Sequence, residues 1–506
     1  MNQQFLEAVS IFVFMYPAGM AIYWVTASLC YYLFMEGKLG QPTFQQMPKE
    51  RVPMVSIMVP CYNEGDNLDE AIPYLLELRY PNYELIFIND GSKDNTGEII
   101  ERWAKADERI VALHQENQGK ASALNHGLLV AKGEYVACID GDAVLDFDAI
   151  DYMVQSLELN RAYGAVTGNP RVRNRSTILG RLQVSEFSSI IGLIKRAQSL
   201  MGTIFTVSGV CCLFRKDVME EIGGWSTNMI TEDIDVSWKI QTAGYNIMYE
   251  PRALCWVLMP ERLYGLYKQR LRWAQGGAET ILKYFPQVWR WKNRRLWPMY
   301  AEYFVTATWA ILLVTLVALA LYRKITLGIG IQNMELFETN ISIMFFSFFL
   351  QCLLSLYIDS RYEKGLIQYG ISCIWYPYVY WLLNTVTLLV GIPKAIFRNK
   401  SKLAVWTSPD RGVYIMATAT LQQLMVINKG SSLPLLIKAK SFVLDLVTWA
   451  LWAYIITFVA RYAERIFTKP ILESFFFVDV ISIMFSVSAV LVILAYIWSI
   501  LTVAKE

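Results

Sequence analysis

The stretch Tyr135-Val136-Ala137-Cys138-Ile139-Asp140-Gly141-Asp142 is an apolar run that ends in two carboxylates separated by one glycine. A short apolar run of this kind reads as a buried strand of a parallel sheet. Open α/β sheets bind ligands in the crevice at the carboxyl ends of such strands. Two acids held there suit a hard divalent cation, and the cation suits a diphosphate. Gly141 keeps the turn narrow. An Asp-x-Asp pair alone is also an ordinary acidic turn, so its weight depends on its companions.

Three turns are expected on the same sheet edge. Pro60-Cys61-Tyr62-Asn63-Glu64 ends one apolar run, Asn89-Asp90-Gly91-Ser92-Lys93-Asp94 ends a second, and Asn117-Gln118-Gly119-Lys120 follows a third. Asp90 offers an acceptor for a base or ribose, and Lys120 a cation for a phosphate. Asn, Asp and Gly also make turns for their own sake, but three such turns on one edge favour a nucleotide site. Thr231-Glu232-Asp233 precedes a helix expected from Ile234 to Ala243. Thr231 could cap it, with the acids at its positive end. Alternatively, Asp233 is a general base that takes a proton from a hydroxyl nucleophile. In Gln269-Arg270-Leu271-Arg272-Trp273, Arg272 suits a diphosphate leaving group and Trp273 offers a face for a sugar ring. In an interfacial helix the same residue types serve as membrane anchors.

The elements that must position these groups follow from periodicity. Strands are expected at Val55–Pro60, Glu84–Ile88, Ile110–Leu113 and Tyr135–Ile139, with helices at Asn67–Leu78, Thr96–Ala106 and Lys120–Ala131. This β-α-β rhythm predicts a doubly wound sheet. Of the 506 residues 55% are hydrophobic and 18% charged, which fits a chain that is part bilayer and part globular. Residues 7–35 form one apolar stretch, longer than the roughly 20 residues needed to span a bilayer, and read as a retained anchor. Residues 36–53 read as a linker. Residues 181–203 and 261–296 set Lys and Arg against apolar side chains and are expected in the membrane interface. Apolar blocks follow at 298–322, 341–358, 366–393, 441–463 and 474–503. The 46 basic and 44 acidic residues nearly cancel, so nucleic acid is not an expected partner. Eight scattered cysteines without a C-x-x-C pair read as small buried hydrophobes in a reducing compartment. With only His114 and His126, a histidine-ligated metal is not expected.

The set Asp90, Asp140-x-Asp142, Thr231-Glu232-Asp233 and Gln269-x-x-Arg272-Trp273, in this order and spacing, resembles the processive family-2 glycosyltransferases. That family includes cellulose, hyaluronan and chitin synthases. Within it the chain is most similar to the bacterial synthases of β-1,6-linked poly-N-acetylglucosamine. The similarity is carried by Val166-Thr167-Gly168-Asn169-Pro170-Arg171, Ser189-Ile190-Ile191-Gly192-Leu193-Ile194-Lys195-Arg196, Phe205-Thr206-Val207-Ser208-Gly209-Val210, Met229-Ile230-Thr231-Glu232-Asp233-Ile234-Asp235 and Arg270-Leu271-Arg272-Trp273-Ala274-Gln275-Gly276-Gly277-Ala278-Glu279. It runs from about residue 50 to Gly412. Residues 424–506, with a basic start and two apolar spans, look like the small two-span accessory subunit of such systems, here fused.

The resemblance implies a cytoplasmic GT-A catalytic domain (doubly wound, Rossmann-like) on an α-helical transmembrane domain with amphipathic interface helices. The implied domains are an anchor at 1–36, the catalytic domain at 50–260, interface helices at 261–296, a channel region at 297–395, a gating-like loop at 396–423 and the accessory-like segment at 424–506. The implied activity is inverting transfer of N-acetylglucosamine from UDP-N-acetylglucosamine to a growing chain that crosses the bacterial inner membrane. Asp140 and Asp142 would hold Mg2+ or Mn2+. Pro60, Tyr62, Glu64, Asp90, Lys120, Asp140 and Arg272 would bind the nucleotide sugar. Asp233 would be the base, flanked by Thr231 and Glu232. Phe205, Ser208, Gly209, Gln269 and Trp273 would meet the acceptor, and Trp406, Asp410 and Arg411 would gate the site. Implied partners are membrane lipid, cyclic di-GMP, a periplasmic deacetylase and an outer-membrane export porin. Competing readings are a synthase of chitin, hyaluronan or cellulose type, a single-transfer glycolipid enzyme, and a non-catalytic transporter or scaffold. The Gln-x-x-Arg-Trp element argues against the glycolipid enzyme, and the intact acidic set argues against the scaffold. Because the stretch from Lys394 to Lys440 is basic and belongs inside, segment 366–393 is expected not to cross once but to break at Pro377.

Overall fold

The computed structural model describes residues 3–36, 52–327, 334–375, 380–399 and 403. Pro377, the gating residues Trp406, Asp410 and Arg411, the accessory-like segment 424–506 and most of the expected linker lie outside the described residues. The chain runs α1 (Gln3–Phe34), β1 (Val55–Cys61), α2 (Gly65–Leu76), β2 (Tyr83–Asp90), α3 (Thr96–Ala106), β3 (Ile110–Gln115), α4 (Lys120–Val130), β4 (Tyr135–Cys138), β5 (Val144–Leu145), α5 (Ala149–Glu158) and β6 (Tyr163–Val172). It continues with α6 (Ile178–Glu186), α7 (Ile194–Leu200), β7 (Cys212–Arg215), α8 (Lys216–Glu221), α9 (Glu232–Ala243), β8 (Asn246–Val257), α10 (Leu263–Val288), α11 (Trp297–Leu327), α12 (Met334–Asp359) and α13 (Leu382–Phe397).

The eight strands form one sheet in the order β3-β2-β1-β4-β7-β6-β8-β5. β3, β2, β1 and β4 are parallel, as the four apolar runs predict. Every residue of β1 is buried, because helices cover both sheet faces. Val55, Ile57, Val59 and Cys61 face one core with α2, α3 and α5, while Met58 faces a second core with α4 and α9. Beyond β4 the sheet departs from a uniformly parallel one. β7 runs antiparallel to both β4 and β6, and β8 pairs parallel with β6.

Among the described residues two helices are long and apolar enough to cross a membrane, Ala8–Phe34 and Trp291–Thr326. Met344–Asp359 and α13 are shorter apolar helices. Segment 366–393 is not one helix: a 3-10 helix spans Leu366–Trp375, and α13 starts at Leu382. The expected break at Pro377 itself lies outside the described residues.

Residues 178–200 differ from an ordinary interfacial helix. A π-helical turn over Phe187–Leu193 joins α6 to α7, and Glu186, Lys195 and Arg196 are buried. The cations turn inward because their partners lie inside the protein. Arg196, fully buried, reaches Glu36 at 2.5 Å and Asp359 at 2.8 Å. Asp359 also pairs with Arg171 of β6 at 2.8 Å, and Tyr362 donates to Glu36 at 2.8 Å. This dry ion network ties the end of α1 and the end of α12 to the sheet. Removing one partner from such a network typically costs about 3–5 kcal/mol, because a buried charge is left uncompensated.

Candidate active site

The loops at the carboxyl edge of the parallel strands are laced to one another. Asn63, in the left-handed region at φ 55°, donates its N–H to Ser92 Oγ and accepts from the Lys93 amide. Asp94 accepts from the Gly65 and Thr96 amides and so fixes the starts of α2 and α3. Asp90, buried, accepts from Gln115 Nε2 at 2.7 Å and from the Gln118 and Gly119 amides at 2.9 Å. A carboxylate has about four lone-pair sites, so three are spent on shaping this loop. Asp90 thus builds the pocket wall, which its role as a simple nucleotide acceptor did not anticipate. Gly141 lies close over the β1 loop. A Cβ there would stand 3.1 Å from Glu64 Cγ and 3.4 Å from Cys61 Sγ, so the acidic turn rests directly on the β1 loop. Pro60 is buried near the end of β1, Tyr62 is half-buried, and Asp142 is buried.

Lys120, at the start of α4, joins the two acidic motifs. Its Nζ lies 2.6 Å from Asp140 Oδ1 and 2.9 Å from Glu232 Oε1, and it donates to Gly209 O at 3.4 Å. Burial alone would lower the lysine pKa, but Asp140 and Glu232 hold it well above its usual value. The ammonium therefore stays charged at neutral pH, placed between the Asp140 and Glu232 carboxylates beside the Gly209 loop.

Asp233 opens α9. Burial pushes its carboxyl up to about 6, with Glu232 adding to the effect, while Lys120, the Ile234 amide and Arg272 pull it back. Such a value suits a base that must be ionised near neutrality yet hold a proton in transit. α9 also carries the loop beside it. The Ile204 amide donates to Gln241 Oε1, the Val207 amide to Ser237 Oγ, and Trp238 Nε1 donates to Phe205 O. A Cβ on Gly209 would lie 3.2 Å from Asp233 Cβ. Asp233 and the Phe205–Val210 loop are thus held on the same helix. Thr231 occupies the N-cap position, but its hydroxyl makes no capping hydrogen bond, which corrects that expectation. α10 packs closely on this residue: a Cβ on Gly276 would meet Thr231 Oγ1 at 2.0 Å.

α10 presents the remaining set. Gln269 is buried, and among the described residues its Oε1 has no hydrogen-bond partner. Arg272 acts on Asp233 through its charge. Trp273 is half-buried with Arg270 stacked on it, the guanidinium carbon 4.1 Å from the ring centroid. Arg270 is in turn fixed by Glu186 at 2.5 Å. Sequence reasoning missed Arg270 and Glu186; the signal was a second arginine two residues before Arg272, where an interfacial helix needs none. Phe205 stacks parallel to Tyr303 at 6.5 Å and edge-on to Trp238 at 5.9 Å.

Among the described residues no group of three or more His, Cys, Asp or Glu side chains is spaced to cage a metal. Asp140 and Asp142 are two hard donors on one turn. That set fits Mg2+ or Mn2+, which binds through one or two carboxylates and completes its shell with water and substrate phosphates.

A mixed sheet with acidic loop ends at its carboxyl edge, and the half-buried Asp233 carboxylate beside them, fits a nucleotide-sugar transferase of the GT-A class. Glycosyl transferase family 2 matches residues 56–223. The chain is similar in fold to a mannosyltransferase from Pyrobaculum calidifontis solved with GDP-Man and Mn2+, with a TM-score of 0.55 at 23% identity over 78% of this chain and 99% of that one. It is 43% identical over 409 residues to a poly-β-1,6-N-acetyl-D-glucosamine synthase of Staphylococcus epidermidis, covering 79% of this chain and 98% of the relative. It is 40% identical over 403 residues to the enzyme of that name from Staphylococcus aureus, strain MSSA476, with the same coverage. The chain belongs to the poly-β-1,6-N-acetyl-D-glucosamine synthase family of family-2 glycosyltransferases.

Proposed function

We propose that this enzyme polymerises N-acetylglucosamine from UDP-N-acetylglucosamine into a β-1,6-linked chain at a bacterial inner membrane, with the catalytic domain on the cytoplasmic side. The observation that carries this reading is Asp233, raised to about 6 and in contact with the Ser208-Gly209 loop, while Lys120 links its neighbour Glu232 to Asp140. In the proposed reaction Asp233 takes the proton of the acceptor's 6-hydroxyl. The hydroxyl oxygen attacks the anomeric carbon from the face opposite UDP, the bond to the diphosphate breaks, and the configuration inverts without a covalent intermediate. Lys120 and Arg272 balance the charge that builds on the leaving diphosphate. A divalent cation held by Asp140 and Asp142, Mg2+ or Mn2+, would supply Lewis-acid stabilisation of that diphosphate.

Trp273 stacks the acceptor sugar on the face that Arg270 leaves open, Phe205 borders the same subsite, and Gln269 Oε1 accepts from a sugar hydroxyl. α1, α11, α12 and α13 form the multi-pass membrane part, with the 366–393 segment re-entrant. The fused accessory-like segment, control by cyclic di-GMP, and hand-over to a periplasmic deacetylase and an export porin are further parts of this proposal. Their motive is the sequence beyond residue 424 and the resemblance alone. The test is sugar-nucleotide selection by membranes containing the enzyme. UDP-N-acetylglucosamine should give insoluble polymer, and UDP-glucose and UDP-glucuronate should not. Polymer from either of the latter would overturn the assignment.

A further inference from the structure

Lys195 of α7 is 5% exposed, and the mechanism above gives it no task. Its ammonium has three protons and, among the described residues, two hydrogen-bond partners, both hydroxyls: Ser208 Oγ at 2.6 Å and Thr167 Oγ1 at 3.1 Å. Among the described residues no carboxylate lies within ion-pair distance of it. Burial without a counter-ion is costly, and it lowers the amine to about 8, which still leaves it charged at neutral pH. An ammonium can only donate hydrogen bonds. Both hydroxyls must therefore accept from it. Thr167 Oγ1 also accepts from the Ser208 amide at 2.8 Å, so its lone pairs are filled. Ser208 Oγ receives a charged donor and must give its own proton to something else. Ser208 is half-buried and adjoins Gly209, the point where the loop touches Asp233. The residue next to the base thus presents a polarised O–H donor backed by a buried positive charge.

We propose that Lys195, acting through Ser208, sets the specificity of the acceptor subsite: the pair holds the acetamido carbonyl of the terminal sugar and rejects a terminal sugar whose 2-amine is free and protonated. A carbonyl oxygen accepts the Ser208 proton. An ammonium cannot accept it, and it meets a like charge one hydroxyl away. This inference rests on the proposed polymerisation and deepens it. Lys195 is a positioning residue, since it acts on the sugar through Ser208.

The test uses the full-length enzyme in lipid vesicles with labelled UDP-N-acetylglucosamine. Two β-1,6 oligomers serve as acceptors, one ending in N-acetylglucosamine and one in glucosamine. The wild type should prefer the acetylated end by about tenfold or more in kcat/KM, the scale expected when a site's donor is left unpaired beside a like charge. Lys195→Met and Ser208→Ala should each bring the ratio close to one, mainly through KM. The ratio does not depend on how much enzyme folds, and Ser208→Ala leaves Lys195 in place. Equal extension of both ends by the wild type would overturn the proposal, as would an unchanged ratio in either variant. Failure of the wild type to extend even the acetylated oligomer would instead defeat the polymerisation reading, and this inference with it.

Discussion

Replacing Asp233 by Asn should separate activity from stability. The carboxyl is raised from 3.8 to about 6, chiefly by burial. Each pKa unit is worth about 1.4 kcal/mol, so two units put the penalty for holding this group ionised in the fold at roughly 3 kcal/mol, and at roughly 1–3 kcal/mol once partial exposure is allowed for. The sign follows from linkage. The folded pKa lies above the unfolded one, so the folded state binds the proton more tightly. The penalty is absent below pH 3.8, grows between 3.8 and about 6, and is complete above that. Asn keeps the shape and the acceptor for the Ile234 amide but carries no charge. The variant should therefore melt higher than the wild type at pH 8, and at the same temperature near pH 4. Its synthesis rate should fall about 10²–10⁴-fold, the usual worth of a general base, with UDP binding retained. The wild-type rate should itself rise with pH through about 6 as the base ionises. Scanning fluorimetry of the detergent-solubilised enzyme and a radiometric polymer assay give both readouts. An Asn variant that is less stable at pH 8, or that keeps more than about a tenth of the activity, would refute this reasoning.

Asp142→Asn should weaken metal-dependent UDP binding about tenfold or more by titration calorimetry, in contrast to Asp233→Asn; equal loss in both would undo the division of roles. Trp273→Ala should reduce polymer formation more than donor hydrolysis, because it removes a stacking face for the acceptor; parallel loss of both would place the ring at the donor instead. Gly276→Ala puts a methyl 2.0 Å from Thr231 Oγ1 and should push α10 off the base loop, costing about 1–3 kcal/mol in melting and most of the synthesis rate. Arg196→Met leaves buried Glu36 with Tyr362 and no cation, and Asp359 with Arg171 as its remaining cation, and should cost about 3–5 kcal/mol; a neutral effect would show that the network does not hold the membrane helices to the sheet.

The parallel half of the sheet was legible because buried parallel strands are continuous apolar runs that stop at polar turns. Helix α3, expected at Thr96–Ala106, has those bounds in the structure. The other half was not legible. β6 contains Thr167, Gly168, Asn169, Pro170 and Arg171, and β8 contains Glu250, Pro251 and Arg252, so neither reads as an apolar run. Those polar groups are buried because Lys195, Asp359 and their own neighbours receive them. Pairings between residues nearly 200 apart, such as Arg171 with Asp359, leave no local trace. The acidic motifs were legible as motifs. The joining of Asp140 to Glu232 by Lys120 was not, since all three come from different elements.

The central claim is that this chain makes β-1,6-linked poly-N-acetylglucosamine with Asp233 as its base. Membranes containing the enzyme, incubated with labelled UDP-N-acetylglucosamine and a divalent cation, should yield high-molecular-weight product that a β-1,6-specific hydrolase degrades completely. Membranes with Asp233→Asn should yield none. Product that resists this hydrolase, or synthesis that survives the Asp233 substitution, would contradict the account.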